Sequence, residues 1–361
     1  MNGHHSSRLV RVLVAGDSAF MRNTLTRMIE SDPALRVSGT AQTGPETLEK
    51  ICLLQPDVVT LDVEMPGLDG LEILRRIMRD FPRPVIVVSS LTQEGARITS
   101  EALACGAFDY VPRQLSAVSL DIESNCEDLI IKIKAAAETC WPRPMARVAR
   151  SAVKFRPRTV NVSPSIIAIG VSTGGPQALE EILPLLPADL AVGVLIVQHM
   201  PAGFTGPLAR RLDGFCKVTV REANNHDAVE GGIVYIAPAG QHMTVYRQTL
   251  SQVLIRLSQS PENCAHIPSV DVMMLSVAEV FRAYSMGIIM TGMGVDGLRG
   301  MQAIANNGGT TLGQDESSCT VYGMPRACAR SGVLQRVVPL ARIPEEILQA
   351  TRYRQRLASS P

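Results

Sequence analysis

A chain of 361 residues is too long for one ordinary domain and suits two, each able to bury its own core. Its 35 Lys and Arg nearly balance its 34 Asp and Glu, which excludes the basic footprint of a general nucleic-acid binder and points to a protein or small-molecule partner. The apolar stretch ahead of Gly16 is too short for a signal peptide and no run is long enough to span a bilayer, while eight cysteines without a C-x-x-C pair suggest neither zinc nor disulfides, so a cytoplasmic protein without membrane insertion is expected.

From Val10 the chain alternates apolar β-rich runs with helical patterns: VRVLVA, FMRNTLTRMIE, ETLEKICLLQ, DVVTLD, GLEILRRIMRD, PVIVVSS. This rhythm predicts a parallel sheet covered by helices, a doubly wound, flavodoxin-like α/β domain over residues 9–127 with its last helix within residues 116–137. Residues 139–164 hold four prolines and six Arg or Lys with little apolar periodicity, so an exposed basic linker is expected over 128–162. The rhythm restarts with SIIAIGV, a helix from about Pro176, AVGVLIVQ and a helix near residues 204–212. GGIVYIAP reads as a strand, MTVYRQTL and QVLIRLSQ as a β-hairpin, DVMMLSVAEVFRAY as a helix, MGIIM as a buried strand, and a helix follows Gly297. A second α/β domain, Rossmann-like with a β-hairpin, is therefore expected over residues 163–352.

Asp17 follows the first strand and Asp62 ends the third, so both lie at the carboxyl edge of the first sheet, where such folds bind ligands. Two carboxylates and a backbone carbonyl there suit Mg²⁺, and Ser89 adds a hydroxyl at the same rim. In the second half, Gly170-Val-Ser-Thr-Gly174 fits G-x-S-x-G and places Ser172 in a tight turn between a strand and a helix. A serine nucleophile needs a base. His199 alone follows another apolar strand, whereas His226, His242 and His266 fall in loops or on the hairpin. Asp296, in MGIIMTGMGVDG, supplies the carboxylate that orients such a base, and its flanking glycines leave room for an oxyanion hole. The chain order Ser, His, Asp departs from the Ser, Asp, His of α/β-hydrolases.

Four motifs in order, DSAFMR, LDVEMPGLDG, VVSSLT and FDYVP, make the first half resemble the receiver domains of two-component response regulators. The resemblance implies that Asp62 accepts a phosphoryl group from a histidine kinase, that Asp17, Asp62 and the Glu64 carbonyl hold Mg²⁺, and that Ser89, Tyr110 and the residue at position 113 report the change. Two places depart from the pattern: Gly16-Asp17 stands for an acidic pair, and Arg113-Gln114 for a Lys-Pro pair, an exchange that is not conservative. GVSTGGP, VQHMP, TGMGVDG and GQDESSCTVYGMPRA are similar to the catalytic domain of the chemotaxis protein-glutamate methylesterases, a family that joins a receiver to this domain in this order. That likeness implies Ser172 as nucleophile, His199 as general base and acid, Asp296 as its orienter, the Met293 N–H as oxyanion donor and Thr173 as a positioning neighbour. It further implies hydrolysis of glutamyl methyl esters on chemoreceptors, a related glutamine deamidation, no cofactor for hydrolysis, and a receiver that covers the cleft until phosphorylated. Two readings stand against it: a non-catalytic signalling adaptor with a degenerate receiver, and a phosphate-binding α/β protein, which lacks a P-loop lysine.

Overall fold

The computed structural model describes residues 9–65, 70–113, 121–138 and 163–358, and the chain divides into two compact units, residues 1–147 and 148–361. The expected basic linker, like Gln114, lies largely outside the described residues.

The first unit carries five parallel strands, β1 (Val10–Ala15), β2 (Leu35–Ala41), β3 (Val58–Asp62), β4 (Val85–Ser89) and β5 (Asp109–Pro112), in the order β2-β1-β3-β4-β5. Its helices are α1 (Ala19–Glu30), α2 (Gly44–Leu54), α3 (Gly70–Asp80), α4 (Gln93–Ala104) and α5 (Asp121–Glu138). The central strands β3 and β4 are buried throughout, as continuous apolar runs between two helical layers must be. In α3 the apolar residues Leu71, Leu74 and Ile77 share one buried face, with Arg75, Arg76 and Arg79 away from it. Ser18, Thr43 and Thr92 cap α1, α2 and α4, each side chain accepting a first-turn N–H. β2 has no counterpart in the periodicity: it is an edge strand in which only Leu35 and Ala41 are buried.

The second unit holds a seven-stranded parallel sheet in the order β14-β13-β12-β6-β7-β9-β8. Its strands are β6 (Ile166–Val171), β7 (Gly193–Gln198), β8 (Thr219–Glu222), β9 (Ile233–Ile236), β12 (Ser285–Ile289), β13 (Thr310–Gln314) and β14 (Arg336–Val338). The expected hairpin is β10 (His242–Arg247) with β11 (Val253–Ser258), a separate antiparallel pair. The helices are α6 (Gly175–Ile182), α7 (Thr205–Asp213), α8 (Val270–Phe281), α9 (Leu298–Asn306), α10 (Met324–Arg330) and α11 (Ile343–Ala358). Alternate residues of β6 feed two cores, Ile167 and Ile169 with Leu179 and Leu208 on one face, Ile166 and Ala168 with Met274 and Met301 on the other. From β6 the chain winds outward through β7 on one side and returns to β12 on the other, so the order reverses at β6. At such a reversal a crevice opens at the carboxyl ends of the strands.

Candidate active site and receiver pocket

Ser172 and His199 are the first residues beyond a paired position, since Val171 of β6 lies opposite Gln198 of β7 and the His199 N–H donates to the Val171 carbonyl at 3.1 Å. Buried Gln198 fixes both: its side-chain Nε2 donates to the Ser172 carbonyl at 2.9 Å and to the His199 carbonyl at 3.0 Å. On its other flank the Ser172 N–H donates to the Thr291 carbonyl at 3.0 Å. The turn demands glycine at 174, where φ is +75° and a Cβ would lie 1.9 Å from Thr320 Oγ1. No side chain caps the N-terminus of α6 that follows, which leaves it open to an anionic group.

His199 Nε2 lies 2.8 Å from Asp296 Oδ2. An ionised carboxylate only accepts, so Nε2 carries the ring proton and Nδ1 holds the basic lone pair. Nδ1 is buried and, among the described residues, has no hydrogen-bond partner; the Ser172 hydroxyl makes no hydrogen bond either. Asp296 also accepts from Ser269 Oγ (2.9 Å), Val270 N (2.8 Å), Asp271 N (2.9 Å) and Gly297 N (3.0 Å). Burial opposes its charge, but the His199 ring and the N–H groups of Asp271 and Val270 outweigh it and hold the carboxyl well below the usual range. Asp296 thus binds the first two N–H groups of α8, those of Val270 and Asp271.

Gly292 packs against Ser172, for a Cβ there would meet Ser172 Cβ at 2.7 Å and Met324 Sδ at 2.5 Å. Its carbonyl accepts from the N–H groups of Gly323 and Met324, while the next N–H, that of Met293, makes no hydrogen bond among the described residues. Thr173 is buried, its carbonyl accepting from Thr291 Oγ1 at 2.9 Å. Thr291 Oγ1 in turn accepts from the N–H groups of Thr320 and Val321, each at 3.0 Å, and its own N–H donates to Gln314 Oε1 at 2.8 Å. Gln198, Ser269, Thr291 and Gln314 are the site residues that sequence motifs did not reveal, being ordinary polar side chains that close loops far apart in the chain.

In the first unit, buried Asp62 accepts the Glu64 N–H through Oδ1 at 2.9 Å. Its Oδ2 and Asp17 Oδ1 are buried without a hydrogen-bond partner. Burial raises the Asp62 carboxyl, assisted by the charges of Asp17 and Glu64 and opposed by the Glu64 N–H and Arg113. Arg113 reaches Asp62 from the position where the receiver pattern has a lysine: its guanidinium lies 3.4 Å from Asp62 and 3.6 Å from Glu64. Ser89 is buried and donates to the Gly95 carbonyl at 3.0 Å, and Tyr110 is buried. Two buried carboxylate oxygens that accept no hydrogen bond, Asp17 Oδ1 and Asp62 Oδ2, fit a hard divalent cation that keeps several waters. Among the described residues there is no group of three or more His, Cys, Asp or Glu side chains arranged for a metal, and no helix long and apolar enough to cross a membrane.

Residues 167–347 match the family model of the CheB methylesterase, and residues 12–122 that of the response regulator receiver domain. The chain is 44% identical over 348 residues to a protein-glutamate methylesterase/protein-glutamine glutaminase of Pyrococcus horikoshii, covering 95% of this chain and 94% of that one. It is 45% identical over 365 residues to one of Symbiobacterium thermophilum, covering 95% and 97%. The crystal structure of the Thermotoga maritima CheB methylesterase catalytic domain superimposes with a TM-score of 0.51 at 38% identity, over 52% of this chain and 99% of that one.

Proposed function

The chain belongs to the CheB methylesterase family, and from that membership we propose that it is a protein-glutamate methylesterase of chemoreceptors, with glutamine deamidation as a related activity, worked by Ser172, His199 and Asp296. We assign residues 9–127 to the receiver, 128–162 to a basic linker and 163–352 to the catalytic domain. The observation that carries the reading is the Asp296–His199 pair, bonded at 2.8 Å beside Ser172 at the reversal of the sheet.

The chemistry follows from which nitrogen is free. Ser172 Oγ gives its proton to His199 Nδ1 and attacks the ester carbonyl, and the imidazolium formed is stabilised by Asp296, which stays ionised. The oxyanion is taken by the Met293 N–H, with Thr173 holding the turn beneath it. Collapse expels methoxide, which leaves as methanol with the proton from Nδ1. Water then gives a proton to Nδ1 as it adds to the glutamyl-enzyme, and release of the free glutamate restores Ser172. Hydrolysis by this route draws on no cofactor.

Asp62 is the phospho-acceptor for a histidine kinase partner in the cytoplasm. Asp17, Asp62 and the Glu64 carbonyl would hold Mg²⁺, which supplies charge neutralisation for phosphoryl transfer. Arg113, already beside Asp62, answers the new phosphoryl charge, and Ser89 and Tyr110 relay it; the receiver thereby regulates the hydrolase. Methanol release from methylated receptor membranes tests the proposal. Turnover by the full chain, raised by acetyl phosphate with Mg²⁺, is expected; no release above the protein-free rate would favour the non-catalytic adaptor.

A further inference from the structure

The catalytic histidine has a second imidazole lying on it. The rings of His199 and His266 stack with centroids 4.2 Å apart and planes 26° apart. His266 is exposed, whereas the side chain of His199 is 8% exposed and that of Asp296 13%, so His266 lies on the solvent side of a covered pair.

The segment that carries His266 is fastened at both ends by one buried residue. His242 Nδ1 lies 3.1 Å from the Ser269 nitrogen and must accept its N–H; the other ring nitrogen then carries the proton and donates to the Pro261 carbonyl at 3.1 Å. The Gly240 N–H adds a bond to the Ile267 carbonyl at 3.1 Å. Ser269 Oγ closes the circuit, donating to Asp296 Oδ1 at 2.9 Å, the same carboxylate that orients His199. Edge and face of the base are thus held from one frame. Asp296 fixes the Nε2 edge, and a hydrogen bond at one edge still permits the ring to rock about that bond. A flat ring across the face stops the rocking.

We infer that His266 is a positioning residue for His199, its ring fixing the plane in which Nδ1 meets the Ser172 hydroxyl. This rests on the hydrolytic reading of Ser172. The test needs no receptor substrate: a fluorophosphonate probe reacts with an activated serine, the Oγ–P bond forming as fluoride leaves and His199 takes the proton. On the full chain, His266→Ala is expected to slow labelling of Ser172 about three- to tenfold, the range that removal of one aromatic stacking interaction from the transition state would give. It should lower kcat for ester hydrolysis alike and leave KM unchanged. His266→Phe, which keeps a flat ring, restores both, and Ser172→Ala takes up no label. Wild-type rates in His266→Ala, or a Phe variant no faster than the Ala variant, overturn the assignment while leaving the hydrolase standing. A wild-type chain that takes up no label refutes the activated serine and this assignment with it.

Discussion

Replacing Asp296 by Asn keeps the shape of the side chain and removes one acceptor oxygen and the charge. Oδ1 accepts three donors, Ser269 Oγ, Asp271 N and Gly297 N, so the amide keeps its oxygen there. Its NH₂ then faces the Val270 N–H and His199 Nε2, where Oδ2 had accepted both. One buried N–H left without an acceptor costs about 1–3 kcal/mol. The lost negative charge at the start of α8 adds about 0.3–1 kcal/mol. Unfolding in urea at neutral pH should therefore show the variant about 1–4 kcal/mol less stable. The native Asp296 carboxyl is depressed, so its contribution is full above the ordinary value of 3.8 and fades only as pH falls toward the native one; the two proteins converge in acid. The effect on rate is larger. Facing an amide NH₂, His199 must accept at Nε2 and carry its proton on Nδ1, where it cannot take one from Ser172. A fall in kcat of about 10⁴ is expected, as for other triads given the wrong tautomer. A methanol-release rate within tenfold of the wild type would refute the reasoning.

Two further outcomes follow from buried polar groups. Thr291→Val is close to isosteric and strips the acceptor from the Thr320 and Val321 N–H groups. A loss of about 2–4 kcal/mol in urea unfolding is expected, with slower turnover as the loops beside Ser172 loosen, and an unchanged midpoint would contradict this. Burial raises the Asp62 carboxyl above 3.8, so its ionised form opposes folding at neutral pH and the penalty vanishes as pH falls through the raised value. Asp62→Asn should then melt later than the wild type at pH 7, match it in acid, and lose any response to acetyl phosphate. Earlier melting at pH 7 would mean that the attraction of Arg113 outweighs burial.

The strands that place the chemistry, β3, β6, β7 and β12 throughout and β1 from Val12 on, are buried on both faces and leave apolar runs in the sequence. Asp17, Asp62, Ser172 and His199 stand at or within two residues of their ends, and Asp296 in the glycine-rich loop that follows β12, so both clusters were legible together with the fold. The unassigned strands β2, β8 and β14 lie at sheet edges, where half-exposed residues such as Arg36 and Arg336 break the pattern; β13 is interior but reads TTLGQ, with little apolar signal. Spacing gave no hint of Gln198 or Thr291, whose partners are carbonyls and N–H groups brought near only by the fold. The stack of His266 on His199 is equally long-range. The reach of Arg113 to both Asp62 and Glu64 depends on the path of its side chain, which residue type does not fix.

The central claim is that one hydroxyl, on Ser172, carries the hydrolysis, and the comparison of Ser172→Ala with the wild type on methylated receptor membranes tests it most directly. The account predicts methanol release at the protein-free rate with an unfolding transition unchanged from the wild type. Sustained turnover by the folded Ala variant would contradict it.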